Sequence, residues 1–180
     1  MKVFIIHGAD GHPHENWFPW LKTELERRGH RVVIPAFPTP QHQTMNHWLA
    51  VFERCPESPD RDTVFVGHSL GVPFILRVLE TVNQPVRTSF LVAGFARATN
   101  KQAARFVPTR YSWMKIKQHC HQFVIFHSDK DPYVPLEHGQ ELARLTDGQL
   151  IVVPGAGHFN AQSGYTSFPQ LLEQFQKPQE

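Results

Sequence analysis

The sequence predicts an α/β protein in which a mainly parallel sheet of about six strands is covered by helices on both faces. Six short apolar runs end in glycine, proline or polar residues, which is typical of buried strands. Successive positions in these runs are apolar, as expected for strands that are covered on both faces. Segments with helical spacing separate the runs, and helices between consecutive strands favour parallel pairing.

The first half of the chain alternates strands and helices. The predicted strands are KVFIIHG (2–8), RVVIPAFP (31–38) and TVFVG (63–67). The predicted helices are NWFPWLKTELERRGH (16–30), TMNHWLAVFERC (44–55) and SLGVPFILRVLETV (69–82). Asn16 is the expected N-cap of the first helix and Gly29 its C-terminal stop. Pro73 falls in the first turn of the third helix or just after it, where a missing N–H costs little.

The second half continues this alternation with one irregular segment. Its predicted strands are TSFLVAGF (88–95), QFVIFHS (122–128) and LIVVPG (150–155), and its predicted helices are PLEHGQELARLT (135–146) and SFPQLLEQFQ (167–176). Residues 96–118 fit the alternation least, and we expect an irregular excursion there, near the mouth of a site. Ligands bind beyond the carboxyl ends of the strands in an open parallel sheet, so functional residues are expected in the loops that follow strands.

Composition and charge narrow the function classes. With 180 residues, 41% hydrophobic and 19% charged, the chain is predicted to form a single domain over 1–180. A formal charge of +2 is too small to indicate a nucleic-acid partner. No apolar run approaches the roughly 18 residues of a membrane span, and MKVFII meets a polar stretch before a signal sequence could form. Cys55 and Cys120 form no disulfide framework, so we expect a cytoplasmic protein without a membrane partner.

The stretch Gly67-His68-Ser69-Leu70-Gly71 matches G-x-S-x-G between a predicted strand and a predicted helix. That context suits a nucleophilic serine, because a sharp strand-to-helix turn exposes the hydroxyl above the sheet. The start of the following helix also favours negative charge there. Glycines explain a tight turn with or without chemistry, however, so a capping serine is the competing interpretation of the motif alone.

Two later strands end in the partners that a nucleophilic serine needs, a base and a carboxylate that orients it. Asp131 follows the fifth predicted strand and His158 follows the sixth, which gives the order Ser, Asp, His expected of α/β proteins that carry a nucleophilic serine in a G-x-S-x-G turn. Asp129 is a rival for Asp131. We favour Asp131 because Pro132 and Pro135 follow it, a pattern that is usual in the loop carrying the catalytic carboxylate, here called the acid loop. With twelve histidines in the chain, a surface-loop histidine is the competing interpretation of His158.

Serine chemistry on acyl groups also needs donors for a developing oxyanion. The backbone N–H of Leu70, at the start of a helix, is one candidate. The loop HGADG (7–11) after the first strand is expected to supply the other from Ala9, with Asp10 as the less favoured choice.

Five stretches in this order resemble the small α/β-hydrolases of the retinoblastoma-binding protein 9 and YdeN-like serine hydrolase family. They are HGADGHPHENWFPWL, PAFPTPQHQTMNHWL, VFVGHSLGV, HSDKDPYVP and GAGHFN, from near residue 3 to residue 160. The resemblance implies a compact α/β-hydrolase fold with little or no cap domain and a triad of Ser69, Asp131 and His158. Ser128 departs from the glycine common in the acid loop, and the first two strands of larger members are expected to be absent.

These observations predict a serine hydrolase of carboxylesterase-like type that cleaves a small ester, amide or thioester through an acyl-enzyme on Ser69, without a cofactor. Its partner is then a small-molecule acyl substrate. An apolar pocket is expected from four aromatic residues, Phe37, Phe95, Trp113 and Phe159. Buried core packing is the competing interpretation of these aromatic side chains.

Two other functions compete with this prediction. A metal hydrolase is suggested by His7, His12 and His14 near Asp10, but no H-E-x-x-H motif or similar helical pair supports a metal site. Asp10, His12 and Glu15 are expected to line the rim of the oxyanion loop instead. A non-catalytic protein-binding module could keep the same fold, since a fold does not dictate a function. The sequence identifies no protein partner for such a module, and a complete Ser-Asp-His set has no role in binding alone.

Overall fold

The computed structural model describes residues 1–176 and is built around one six-stranded sheet. The strands are β1 (Lys2–Ile6), β2 (Arg31–Val33), β3 (Thr63–His68), β4 (Val86–Val92), β5 (Cys120–His127) and β6 (Gln149–Val152). Every neighbouring pair is parallel, in the order β2-β1-β3-β4-β5-β6. The predicted α/β architecture with a mainly parallel sheet of about six strands is therefore confirmed.

Helices cover both faces of this sheet, as predicted. They are α1 (Phe18–Glu26), α2 (Met45–Phe52), α3 (Gly71–Leu79), α4 (Lys101–Ala104), α5 (Trp113–Gln118), α6 (Leu136–Thr146) and α7 (Pro169–Gln174). The core on one face holds side chains of α1 and α7, and the core on the other face holds side chains of α2, α3, α5 and α6. Consecutive strand residues such as Phe4 and Ile5 enter opposite cores because side chains alternate across a sheet.

Several predicted boundaries differ from the observed ones, most clearly those of α1 and β2. Helix α1 begins at Phe18 rather than Asn16, because Asn16 has a φ of 52° and its side chain binds another loop instead of capping the helix. Strand β2 pairs only over Arg31–Val33, since two prolines lie in the predicted remainder. The segment 96–118, expected to be irregular, contains two short helices, α4 and α5. None of the helices in residues 1–176 is long and apolar enough to span a membrane.

The order of the strands reverses between β1 and β3. The chain moves from β1 outward to β2, then returns past β1 to β3 and continues in the other direction to β6. The chain therefore leaves β1 and β3, which are neighbours in the sheet, in opposite directions at the carboxyl edge. The space between the two loops is a crevice in which ligands can bind. The predicted oxyanion loop and the G-x-S-x-G stretch are those two loops.

Candidate active site

Ser69 lies in the turn between β3 and α3 in a left-handed backbone conformation with a φ of 52°. This conformation costs roughly 1–2 kcal/mol for a residue with a Cβ. Two backbone hydrogen bonds hold it: the Ser69 N–H donates to the Val92 carbonyl at 2.9 Å, and the Ser69 carbonyl accepts from Val72 at 3.0 Å. The serine is thus fixed in a strained turn at the carboxyl end of a central strand, as the motif predicts.

The flanking glycines allow α3 to approach the sheet closely. A Cβ on Gly71 would lie 2.4 Å from the Ile6 carbonyl oxygen, and a Cβ on Gly67 would lie 2.6 Å from the Ile75 side chain. The atom that blocks a side chain at Gly71 is backbone, so only glycine fits there, whereas a side chain at Gly67 would require the end of the Ile75 side chain to move. A Cβ on Gly8 would also lie 3.1 Å from the Ser69 Cβ, which brings the loop after β1 directly beside the serine.

His158 and Asp131 form a hydrogen-bonded pair. The His158 Nδ1 donates to the Asp131 Oδ2 at 2.7 Å, and the other carboxylate oxygen accepts from the amides of Tyr133 and Val134 at 2.9 and 3.0 Å. Burial alone raises the pKa of Asp131, but the bond from His158 and the two amide bonds outweigh it and hold the pKa below its ordinary value. The carboxylate is therefore ionised at neutral pH and able to orient the imidazole.

The rival carboxylate, Asp129, has a different partner. Its Oδ1 accepts from the Gly155 amide at 2.8 Å, so it links the acid loop to the loop that carries His158 rather than to the imidazole. Ser128, the departure from the resembled family's usual glycine, accepts a hydrogen bond from the Lys130 amide at 3.1 Å. The departure therefore leaves the acid loop with an added internal contact and Asp131 with its partner.

A cleft of about 570 Å³ opens at this edge of the sheet. Its lining includes Ser69, Leu70, Ala9 and His158 of the predicted site, while Asp131 lies behind His158 with a fully buried side chain. In residues 1–176, no hydrogen bond joins the Ser69 hydroxyl to the His158 imidazole. Catalytic hydrogen bonds are often long without a substrate and tighten in its complex.

Of the four aromatic residues expected in an apolar pocket, the structure places only Phe95 in the cleft wall. Phe37 stacks on Trp48 in one core, with ring centroids 4.5 Å apart, and Phe159 is fully buried in the other core. Trp113 lines a separate surface hollow. The expectation is therefore wrong for Phe37, Trp113 and Phe159. An aromatic residue next to a strand gives the same sequence pattern whether its side chain packs in the core or lines a pocket.

The remaining cleft wall is largely polar. Asp10 and Glu15 line it, as expected for the rim of the oxyanion loop, whereas His12 does not. The polar side chains that the sequence did not predict are those of Asn16, Thr99, Asn100, Gln102, Tyr133, Asn160 and Gln162. They follow β1, β4, β5 and β6, so their position after strands was the available signal. Part of the irregular segment, Thr99, Asn100, Gln102 and Ala103, forms one side of the mouth, as expected.

His7, the first of the three histidines near Asp10, uses both ring nitrogens within the protein. The His7 Nδ1 donates to the Gly8 carbonyl at 2.9 Å, while the Nε2 accepts from the Phe37 amide at 3.3 Å. Burial lowers the pKa of His7, which keeps the ring neutral. Across residues 1–176 there is no group of three or more side chains arranged to hold a metal ion.

Comparisons with known proteins agree with this architecture. The family model for serine hydrolases matches residues 3–177. The chain is 32% identical to YdeN of Bacillus subtilis over 176 residues. The aligned region covers 96% of this chain and 93% of that protein. It is 29% identical over 180 residues to the serine hydrolase RBBP9 of Rattus norvegicus, over 95% of this chain and 91% of that one.

Solved structures show the same fold. The crystal structure of the ydeN gene product superimposes with a TM-score of 0.92 at 31% identity, covering 97% of this chain and 96% of that one. Est1E of Butyrivibrio proteoclasticus has a TM-score of 0.70 at 16% identity, covering 98% and 88%, which shows a shared fold alone. With a family match over nearly its whole length, this α/β-hydrolase chain belongs to the serine hydrolase family.

Proposed function

We propose that this protein hydrolyses small carboxylic esters, with amides and thioesters as chemically related substrates, through an acyl-enzyme on Ser69. In this proposal His158 is the general base and Asp131 is the carboxylate that orients it. The observation that carries the proposal is the 2.7 Å bond between His158 and Asp131 at a cleft that Ser69 also lines. That bond occupies Nδ1 and leaves the Nε2 of His158 free for a proton from the serine.

Acylation follows from this arrangement. The His158 Nε2 removes the hydroxyl proton as Ser69 attacks the ester carbonyl, and the imidazolium then gives that proton to the departing alkoxide. The oxyanion is expected to accept from the Leu70 and Ala9 amides. Leu70 precedes α3 as its N-cap, where N–H groups lack intrahelical partners. One such donor is worth about 2.7–4 kcal/mol in a measured case.

Deacylation uses the same groups in the reverse direction. His158 removes a proton from water, the resulting hydroxide attacks the acyl carbonyl, and the Ser69 oxygen leaves with the proton that His158 returns. The products are a carboxylic acid and the free hydroxyl of Ser69. Each step needs only the side chains of the cleft and water.

The size and charge of the cleft favour short, neutral or cationic esters. A volume of about 570 Å³ falls in the usual range for small-molecule sites. Two carboxylates, Asp10 and Glu15, line the cleft, and no lysine or arginine of residues 1–176 does. An anionic substrate would therefore meet like charge without a compensating cation.

Turnover of 4-nitrophenyl acetate and butyrate tests the proposal. Ser69→Ala and His158→Ala should each lower kcat by about 10⁴-fold or more while the circular dichroism spectrum stays native. Ser58→Ala, a change at an exposed serine away from the cleft, should keep wild-type turnover. If the native protein hydrolyses no ester and Ser69→Ala is indistinguishable from it, the non-catalytic binding module becomes the better account.

A further inference from the structure

His68, the residue before Ser69, is buried against the loop that carries His158. Its side chain is only 4% exposed, and its ring packs against three aromatic rings, those of Trp17, Phe18 and His158. The ring centroids of His68 and His158 are 4.9 Å apart. His68 therefore contacts the proposed base directly, although the proposed reaction gives it no part in proton transfer.

One hydrogen bond defines how this contact works. The His68 Nε2 and the main-chain oxygen of His158 are 2.8 Å apart, and because a carbonyl only accepts, the imidazole must donate. The proton is then on Nε2 and Nδ1 carries a lone pair, which has no partner in residues 1–176. Burial lowers the pKa of His68 to about 3, so this neutral form persists across the range in which esterases are assayed.

A second side chain holds the next carbonyl of the same loop. The Trp17 Nε1 donates to the Phe159 oxygen at 2.9 Å, and Phe159 has a left-handed φ of 51°. Two consecutive carbonyls, those of His158 and Phe159, thus each accept a hydrogen bond from a buried aromatic side chain. Asp131 fixes the imidazole of His158 at its other end, so both the backbone and the ring of this residue are held.

We propose that His68 is a positioning residue that sets the separation between Ser69 and His158. It is covalently adjacent to the serine and hydrogen-bonded to the main chain of the histidine, so a single side chain links the two reacting groups. The inference rests on the proposed function, in which a proton passes between those groups. Misplacement by about 1 Å of reacting groups can cost roughly 100-fold in rate.

Substitution of His68 by glutamine and by methionine separates the effect of its hydrogen-bond donor from the effect of its side-chain volume. The two side chains have similar length, but only glutamine can donate to the His158 carbonyl. We expect His68→Met to lower kcat by about 10- to 100-fold with KM little changed, and His68→Gln to retain kcat within about 5-fold of wild type. Rates are normalised to the fraction of the protein that a fluorophosphonate labels at completion, which counts functional sites.

His119 provides the matched control. Its Nδ1 also bonds a main-chain carbonyl, that of Leu79 at 2.7 Å, but it lies before β5 at the opposite edge of the sheet from the cleft. His119→Gln and His119→Met should change thermal stability at most and leave kcat unchanged. A loss of kcat from His119→Met as large as that from His68→Met would assign the effect to general destabilisation and overturn the inference.

The remaining outcomes also decide the matter. A folded His68→Met protein with wild-type kcat overturns the inference, and so does a folded His68→Gln protein that has lost as much kcat as the methionine variant. If His68→Met does not fold, a folded His68→Gln protein whose kcat lies outside the expected range of about 5-fold from wild type overturns the inference. The proposed function fails separately, if wild type and Ser69→Ala turn over esters equally.

Discussion

Asp129 and Asp131 lie two residues apart, yet they bond to different groups. Asp131 contacts the His158 ring at 2.7 Å, whereas Asp129 contacts the Gly155 amide at 2.8 Å. The sequence could rank these two carboxylates only by the prolines that follow, because both come directly after a buried strand. The structure separates them through the amides of Tyr133 and Val134, which turn Asp131 inward.

Replacing each carboxylate by its amide tests this difference at the level of single residues. Asp131→Asn should lower kcat for 4-nitrophenyl butyrate by about 10³- to 10⁴-fold, because an amide favours the wrong imidazole tautomer. Asp129→Asn should change kcat by less than about threefold, since its carbonyl oxygen can still accept from Gly155. Equal losses from the two variants would contradict the assignment of Asp131.

The same carboxylate affects stability against acid. Because the pKa of Asp131 in the folded protein is below its ordinary value, its ionised form stabilises the fold at every pH above that ordinary value. This contribution is lost as the pH falls through the lower folded pKa. Urea midpoints from neutral pH down to acid should therefore fall less steeply for Asp131→Asn than for wild type.

The type of each main strand and helix was predicted more accurately than the residues at which it begins and ends. The six apolar runs and the helices between them were recognisable because their periodicities are local properties of the sequence. The ends depend on tertiary contacts that no local pattern contains. Asn16 illustrates this, because its amide oxygen accepts from Ala161, a residue far along the chain, instead of capping α1.

The turn between β3 and α3 yields a prediction about glycine. Gly71→Ala would place a Cβ 2.4 Å from the Ile6 carbonyl and 2.9 Å from the His7 carbonyl, both of which are backbone atoms. The helix must then shift away from β1, which should destabilise the fold by about 1–3 kcal/mol. The same shift should displace Ser69 and lower kcat. Chemical denaturation and ester turnover measure the two effects.

Gly29→Ala is the control for this substitution. Gly29 has a positive φ of 79° but no atom within 4 Å of an added Cβ, so alanine there meets conformational strain without crowding. We expect a small loss of stability and unchanged kcat. A Gly71→Ala protein as stable and active as wild type would contradict the close approach of α3 to β1.

At the scale of the whole molecule, the position of the site follows from the topology. The strand order reverses between β1 and β3, and the predicted oxyanion loop and the serine turn both begin there. The sequence predicted that both loops lie at the carboxyl edge, because each follows a strand, but it did not predict the reversal that places them side by side. Most of the cleft wall was not predictable either, because residues such as Thr99, Asn100 and Asn160 reach the cleft through packing of loops from different strands.

The charge of that wall leads to a prediction about substrates. Among 4-nitrophenyl esters of matched chain length, kcat/KM should be lowest for the ester with a terminal carboxylate, by roughly 3- to 10-fold relative to a neutral one. Asp10→Asn combined with Glu15→Gln should narrow the difference, as should higher salt. Glu173→Gln, an exposed change on α7, should leave it intact. Preferential turnover of the anionic ester would contradict the prediction.

The central claim is that Ser69 is a nucleophile activated by His158. Reaction of the native protein with a fluorophosphonate, followed by peptide mass spectrometry, tests it most directly. The account predicts one phosphonyl adduct per chain on the peptide that contains Ser69, slowed strongly in His158→Ala and absent in Ser69→Ala. A folded native protein that gains no adduct, or gains it equally in Ser69→Ala, would contradict the account.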